Sequence, residues 1–186
     1  MPAVDHILVL APRGRDAELI RGALQNAAPT SEVVIVTSLA ELANKIDDTI
    51  DCAIVTQESL GETFDGALRR ALQRQPPWSD FPMIVLAGLA SNRGLPGELG
   101  NVTLLERPIT PTTLLVAVKA ALRARHRQYQ ARAAIEQRDQ FLAILGHELH
   151  NPLGAIVMAA DLISADSDKQ SLDRRLGILS RQAHHL

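Results

Sequence analysis

The sequence predicts an α/β domain with a parallel five-stranded sheet, followed by a long helix that leads into a helical hairpin. Three observations predict this fold class. Five short apolar segments alternate with segments of helical periodicity, the pattern of a parallel sheet covered on both faces. Helical signals then run almost unbroken from Pro111 to about Ile163. Finally, two apolar stripes at steps of three and four follow one another across a polar break, which predicts two helices packed side by side.

Composition and charge restrict the class of protein. The chain has 186 residues, 46% of them hydrophobic, which predicts a folded core and not a disordered chain. The net charge of −2 gives no support for nucleic acid as a general partner. The single cysteine, Cys52, lies in an apolar segment and is expected to be a buried thiol in a reducing compartment. No apolar run approaches the ~20 residues of a membrane span, so we expect a cytoplasmic chain without a membrane segment.

The first predicted strand, residues 6–11, ends at Pro12. A helix from residue 16 to about 28 follows, with Asp16 as its cap. The apolar residues predicted for its inner face are Leu19, Ile20, Ala23 and Leu24.

The following segments repeat this alternation. The remaining strands are predicted over residues 33–36, 52–55, 83–86 and 102–105. Between them, one helix runs from residue 39 to about 46 with Ser38 as its cap, and another covers residues 66–75 before two prolines. Pro111 opens the last helix, where proline is tolerated in the first turn.

Five such strands with right-handed crossovers favour an open, doubly wound sheet. Two arrangements fit, the flavodoxin-like strand order 2-1-3-4-5 and a half-Rossmann unit. The turn after the first strand has one glycine, Gly14, so a dinucleotide site is discounted. Residues 88–100 are rich in glycine and lack the Lys-Ser/Thr ending of a P-loop, which predicts an ordinary loop and not a phosphate cradle.

The long helix is predicted to change character along its length. Residues 121–140 are polar and basic, and interspersed Glu136 and Asp139 favour a solvated coiled-coil connector over a nucleic-acid patch. Residues 141–186 carry the two apolar stripes and predict an antiparallel hairpin. A hairpin alone cannot bury both stripes, whereas two copies form a four-helix bundle, so we expect a homodimer.

One histidine lies outside the first of these stripes. At about 100° per residue, His147 lies about 200° from Leu145 and Leu149. Asn151 shares its face, and Glu148 stands beside it. A carboxylate can accept the proton of one imidazole nitrogen and leave the other free to attack. An exposed histidine beside a solvated glutamate is the alternative that this spacing leaves open. The stripe consists of Leu142, Leu145, Leu149, Leu153, Ile156, Ala160 and Ile163.

The segment FLAILGHELHNPLGAI, residues 141–156, closely resembles the H-box of sensor histidine kinases, in their dimerisation and histidine-phosphotransfer domain. The resemblance implies that His147 is the phosphoacceptor and that Glu148 orients its imidazole. It also implies that Asn151 positions water when the domain acts as a phosphatase. The family usually has arginine at the position of His150, which we interpret as a surface substitution.

The first 120 residues resemble a response-regulator receiver domain in the order of their elements and in Leu105-Glu-Arg-Pro108. The phosphorylation site of that family is replaced throughout. Where receivers carry their acidic pair, their phosphoacceptor aspartate and a hydroxyl group, this sequence has other, neutral residues. Where receivers carry a lysine, it has an arginine. These replacements predict a pseudoreceiver without magnesium or phosphoryl chemistry. Glu58 and Asp65, nearby, are expected to be solvated. The replaced positions are Ala11, Pro12, Thr56, Ala87 and Arg107.

Together the resemblances imply a fragment of a hybrid-type histidine kinase with domains at 1–120, 121–140 and 141–186. A catalytic ATPase domain would phosphorylate His147, which would pass the phosphoryl to the aspartate of a downstream response-regulator receiver. Motifs of that ATPase domain are absent from this sequence, so ATP and Mg²⁺ are expected only with the missing domain and the fragment alone is not expected to be active. The alternative is a dimeric, non-catalytic adaptor or an ATP-free phosphorelay protein.

Overall fold

The computed structural model describes residues 4–11, 15–27, 29–60, 66–88 and 100–165. The second predicted hairpin helix, most of the glycine-rich loop, Pro12 and Asp65 lie outside these residues. The chain divides into two compact units, Met1–Arg132 and Ala133–Leu186.

The first unit alternates strands and helices in the predicted order. Its strands are β1 (His6–Leu10), β2 (Glu32–Val36), β3 (Cys52–Thr56), β4 (Met83–Ala87) and β5 (Val102–Glu106). Its helices are α1 (Asp16–Ala27), α2 (Leu39–Lys45), α3 (Gln57–Leu60) and α4 (Gly66–Gln73). The last helix, α5 (Pro111–Ala165), begins in the first unit and continues into the second.

All strand pairs are parallel, and the sheet has the order β2-β1-β3-β4-β5. This order confirms the flavodoxin-like arrangement. In register, Leu10 lies beside Val36 and Val55, and Ala87 lies beside Glu106. The carboxyl ends of the strands therefore meet at one edge, which is where doubly wound sheets place their sites.

Two apolar layers cover the sheet, one on each face. Successive residues of a strand point to opposite faces, so Ile7 and Val9 join one layer whereas Leu8 and Leu10 join the other. The first layer packs under α1 and α5, and the second packs under α2 and α4. Ser38 caps α2 as predicted, since its hydroxyl accepts from the N–H of Glu41.

The predicted inner face of α1 was wrong at Leu19, whose side chain is 68% exposed. Ala17, Ile20 and Leu24 form the buried stripe instead, and Leu19 lies about 100° to the side of Ile20. Asp16 is the first residue of α1 and not its cap.

The first part of the predicted connector packs against the sheet unit. Arg125, expected to be solvated, is 1% exposed, so that expectation was wrong. Contacts continue to Arg132, whose Nη1 lies 3.0 Å from Oδ2 of Asp48. Within the described part of the chain, no helix is long and apolar enough to cross a membrane.

Candidate functional site

The candidate phosphoacceptor, His147, lies on an uninterrupted part of α5 in the second unit. Its side chain is exposed in the single chain, as are the leucines of the apolar stripe. Asn151 is also exposed and follows four residues later, so the two side chains share one face of the helix. The imidazole is therefore accessible to a second molecule, and a carboxamide is nearby on the same face.

Pro152 lies inside α5, and the helix continues beyond it to Ala165. A proline has no N–H, so the carbonyl of Glu148 has no helical partner at this point. The structure shows that the proline does not end the helix. His150 is engaged locally, with its Nδ1 3.0 Å from the carbonyl oxygen of Gly146.

Glu148 is exposed beside His147. In this conformation, no hydrogen bond or ion pair joins the two side chains among the contacts of the described helix. The structure thus places the carboxylate next to the imidazole in sequence, and an interaction between them requires a rotamer change.

The replaced receiver positions gather at the carboxyl edge of the sheet, in the first unit. Ala11 follows β1, Thr56 ends β3 and Ala87 ends β4, and all three are buried. The Thr56 hydroxyl lies 2.6 Å from the hydroxyl of Ser59, so it is engaged in a local hydrogen bond. The fold brings these positions together, as their alignment with receivers predicts, while Pro12 lies outside the described residues.

Arg107 brings a positive charge to this edge. Its Nη2 lies 3.0 Å from Oδ2 of Asp16, and its Nη1 lies 3.4 Å from Oε1 of Glu58. Glu58 belongs to the short helix α3 and not to a loop; it is exposed as expected, and it also pairs with Arg107. Mg²⁺ prefers several oxygen ligands, and the two carboxylates here are already paired with a guanidinium. These residues therefore do not fit the magnesium site of a receiver.

A second cluster of ligand-type groups lies at the opposite, amino edge of the sheet. Asp5, Asp51 and His126 each place one ligand atom within 4.8 Å of the others. Protein contacts already engage them. Asp51 Oδ2 accepts from the N–H of His6 at 2.8 Å, and Asp5 Oδ1 lies 3.0 Å from His126 Nε2, although not aligned as a hydrogen bond. Burial raises the pKa of Asp51, and the His6 N–H partly offsets this effect.

Sequence reasoning missed a buried arginine at the same edge. The guanidinium carbon of Arg125 lies 4.7 Å from the ring centroid of Tyr129 and 5.3 Å from that of Trp78. Its Nε donates to the Tyr129 hydroxyl, and its Nη1 donates to Ser79 Oγ. The spacing of Arg125 and Tyr129, one helical turn, was the available signal, but Trp78 and Ser79 come from a distant part of the chain.

Comparisons with known proteins give different matches for the two units. Residues 137–186 match the family "His Kinase A (phospho-acceptor) domain", and this match includes His147, Glu148 and Asn151. No curated protein matches the chain.

Solved structures match the fold of the sheet unit. A response regulator receiver domain protein from Clostridium thermocellum is 21% identical with a TM-score of 0.55, covering 66% of this chain and 98% of that one. A CheY-like receiver domain protein from Methanospirillum hungatei is 17% identical with a TM-score of 0.52, covering 67% and 98%. The response regulator StyR is 16% identical with a TM-score of 0.64, covering 97% and 92%. At these identities the likeness shows the receiver fold alone.

The strand order, the helix that carries His147 and the matched domain support one assignment. Domains of the matched family belong to histidine kinases, which are transferases. Residues 137–186 therefore match a His Kinase A phosphoacceptor domain, the preceding unit has the receiver fold, and together they support a role in two-component signalling.

Proposed function

We propose that His147 accepts the γ-phosphoryl group of ATP from a kinase catalytic domain and passes it to an aspartate of a response-regulator receiver. The observation that carries this proposal is the exposed imidazole of His147 within the matched phosphoacceptor domain. We place this reaction in the cytoplasm. ATP and Mg²⁺ belong to the catalytic domain in this proposal.

The chemistry assigned to the chain is nucleophilic. One ring nitrogen of His147 attacks the γ-phosphorus, the bond from that phosphorus to the ADP oxygen breaks, and ADP leaves. The proton of the other nitrogen is held by Glu148 once its side chain turns toward the ring. Asn151, on the same face, positions water when the domain acts as a phosphatase, a separate reaction in which water attacks a phosphoryl group and inorganic phosphate is released.

The apolar stripe of α5 supports the proposed homodimer. Leu145, Leu149 and Leu153 are between 39% and 51% exposed in the single chain, although they lie on one side of the helix. A row of exposed leucines at this spacing is the seam that a helical bundle buries. We propose that two copies bury it in a four-helix bundle that leaves His147 facing outward.

The receiver-like unit is proposed to regulate and not to receive phosphoryl groups. Thr56 replaces the carboxylate nucleophile, and Arg107 occupies the edge with its own ion pairs. A hydroxyl is a weak nucleophile unless a base activates it. The unit is thus a pseudoreceiver whose contacts, and not its phosphorylation, bias the helix that follows.

Labelled ATP and the catalytic domain of the parent kinase test the assignment. The full chain is expected to acquire acid-labile label, and His147→Ala is expected to abolish it. His150→Ala is the matched control, since it removes a neighbouring exposed imidazole and should keep the label. Labelling that survives in His147→Ala, or that is lost in His150→Ala alone, contradicts the proposal.

A second candidate function is a dimeric adaptor without phosphotransfer, or a phosphorelay protein that uses no ATP. In this candidate function, the partner contacts Leu104, which is 47% exposed on the edge strand β5. An adaptor would bind its partner equally well with His147→Ala. Phosphotransfer that depends on His147 distinguishes the main proposal from this one.

A further inference from the structure

A cavity of about 410 Å³ lies between α2 and α4, with Arg125 of α5 in its lining. It is bounded by the carboxyl ends of both helices, which lead into β3 and β4, so it lies at the amino edge of the sheet. This is the edge opposite to Ala11, Thr56 and Ala87. Its size falls within the range of small-molecule sites.

Arg125 brings a buried positive charge to this cavity. Its side chain is 1% exposed, and its hydrogen bonds go to neutral groups: Ser79 Oγ at 2.6 Å, Gln128 Oε1 at 3.0 Å and Tyr129 Oη at 3.0 Å. These bonds use Nη1 and Nε. Among the residues that the structure describes, no carboxylate forms an ion pair with this guanidinium. A buried charge without a counter-charge is costly, and an anion in the cavity would offset that cost.

Two aspartates also line the cavity, but both are engaged elsewhere. Asp47 accepts from the hydroxyl and the N–H of Thr49, and the hydroxyl bond is the main reason why the pKa of Asp47 is lowered. The carboxylate of Asp48 pairs with Arg132. Neither forms an ion pair with Arg125.

Two further arginines, Arg70 of α4 and Arg74 just after it, also line the cavity. Arg70 and Arg74 are exposed, and neither pairs with a carboxylate in the described ranges. Guanidinium groups bind phosphate and carboxylate oxygens through paired hydrogen bonds. Apolar lining from Ala43 and Ile46 would accept the rest of an organic ligand.

We propose that this cavity binds a small organic phosphate monoester, with its phosphate between Arg70, Arg74 and Arg125. The site is separate from His147, and its occupancy does not depend on phosphotransfer. Arg125 and His147 lie on the same helix, α5, so the ligand would contact the element that carries the phosphoacceptor.

Titration calorimetry on the full chain tests the site, with phenyl phosphate as the monoester probe, inorganic phosphate as the minimal anion and citrate as the carboxylate probe. We expect saturable binding of phenyl phosphate. Arg70→Ala and Arg74→Ala should each weaken it by at least about tenfold. Arg69→Ala is the matched control, because Arg69 lies on the same helix, is exposed and does not line the cavity.

Absence of saturable phenyl phosphate binding up to about 10 mM would overturn the proposal, because a specific site is expected to have a dissociation constant well below that concentration. Equal weakening by Arg69→Ala would also overturn it, because it would indicate attraction by general charge. Tighter binding of citrate than of either phosphate probe would overturn the phosphate assignment. The variants replace exposed side chains, so the fold is expected to persist, and the fluorescence of Trp78, the single tryptophan, checks this.

Discussion

At the level of single residues, Arg107 shows how one side chain can occupy the edge of the sheet where receivers carry their phosphorylation site. It joins Asp16 and Glu58 near the carboxyl edge, and its own side chain is 30% exposed. Partly exposed ion pairs contribute only about 0–1 kcal/mol each, so the importance of Arg107 lies in where it sits and not in stability. The pairs neutralise the charge of two carboxylates near this edge.

Asp51 gives a pH-dependent prediction. Burial raises the pKa of its carboxyl in the folded state, so between the ordinary and the raised value the folded chain holds a proton that the unfolded chain has released. The contribution of the Asp51 carboxyl to the free energy of unfolding is complete at low pH and is lost as the pH rises through its folded-state pKa. Asp51→Asn cannot ionise, yet its amide oxygen can still accept from the N–H of His6. Relative to wild type, we expect the variant to gain stability as the pH rises from about 4 to about 7.

Urea unfolding followed by Trp78 fluorescence measures this difference at each pH. Glu106→Gln, which changes an exposed carboxylate in the same unit, is the control and should show little of this trend. A difference between Asp51→Asn and wild type that is constant with pH, or that changes in the opposite direction, contradicts the assigned role of burial.

At the level of elements, α5 changes its surroundings along its length. Its first turns bury Leu114, Val118 and Leu122 against the sheet. Its middle places Arg125 and Tyr129 beside Trp78. Beyond residue 141 its leucine stripe is exposed. One helix therefore contributes to the core, packs against Trp78 and carries an exposed leucine stripe, and its residue composition changes accordingly.

The exposed stripe predicts a dimer that depends on Leu149. Replacing it with glutamate would bury two carboxylates, one from each chain, at the proposed seam. A buried leucine contributes about 1.5–3 kcal/mol, so losing two should weaken association by about a hundredfold or more. Sedimentation velocity over a concentration series measures the change.

Met158→Glu is the matched control for this experiment. Met158 is 68% exposed and lies on the side of α5 away from the stripe, so the variant should dimerise as wild type does. A monomeric wild-type chain, or equal loss of association in both variants, would exclude the proposed seam.

At the level of the whole molecule, the compact sheet unit extends to Arg132. A fragment of residues 1–132 keeps the contacts of Arg125, Tyr129 and Arg132 with the connection before β4. A fragment of residues 1–120 loses them, together with Leu122 of the core. We expect the shorter fragment to lose about 3 kcal/mol or more of its free energy of unfolding.

Urea titration of both fragments, with Trp78 as the probe, tests this boundary. The 1–132 fragment should unfold at the same urea concentration as the sheet unit of the full chain. If the 1–120 fragment is equally stable, the contacts of Arg125 and Tyr129 with Trp78 do not stabilise the unit.

Local patterns account for the part of the structure that could be predicted. The alternation of apolar segments and helical periodicity is set by residues close in the chain, so the strands and the helix that carries His147 followed from the sequence, whereas the strand order was one of two arrangements that fitted. The motif from Phe141 to Ile156 likewise lies within one helix, and its match to a phosphoacceptor domain needed no coordinates.

Contacts between residues distant in the chain could not be predicted in this way. Arg125 looked like one more charge on a polar helix, and its burial depends on Trp78, Ser79 and Phe81 from the segment before β4. Arg107 forms ion pairs with Asp16 and Glu58 because the parallel sheet brings three strand ends to one edge. Periodicity reports which face of an element is apolar, whereas the partner of a charged side chain is fixed by packing between elements.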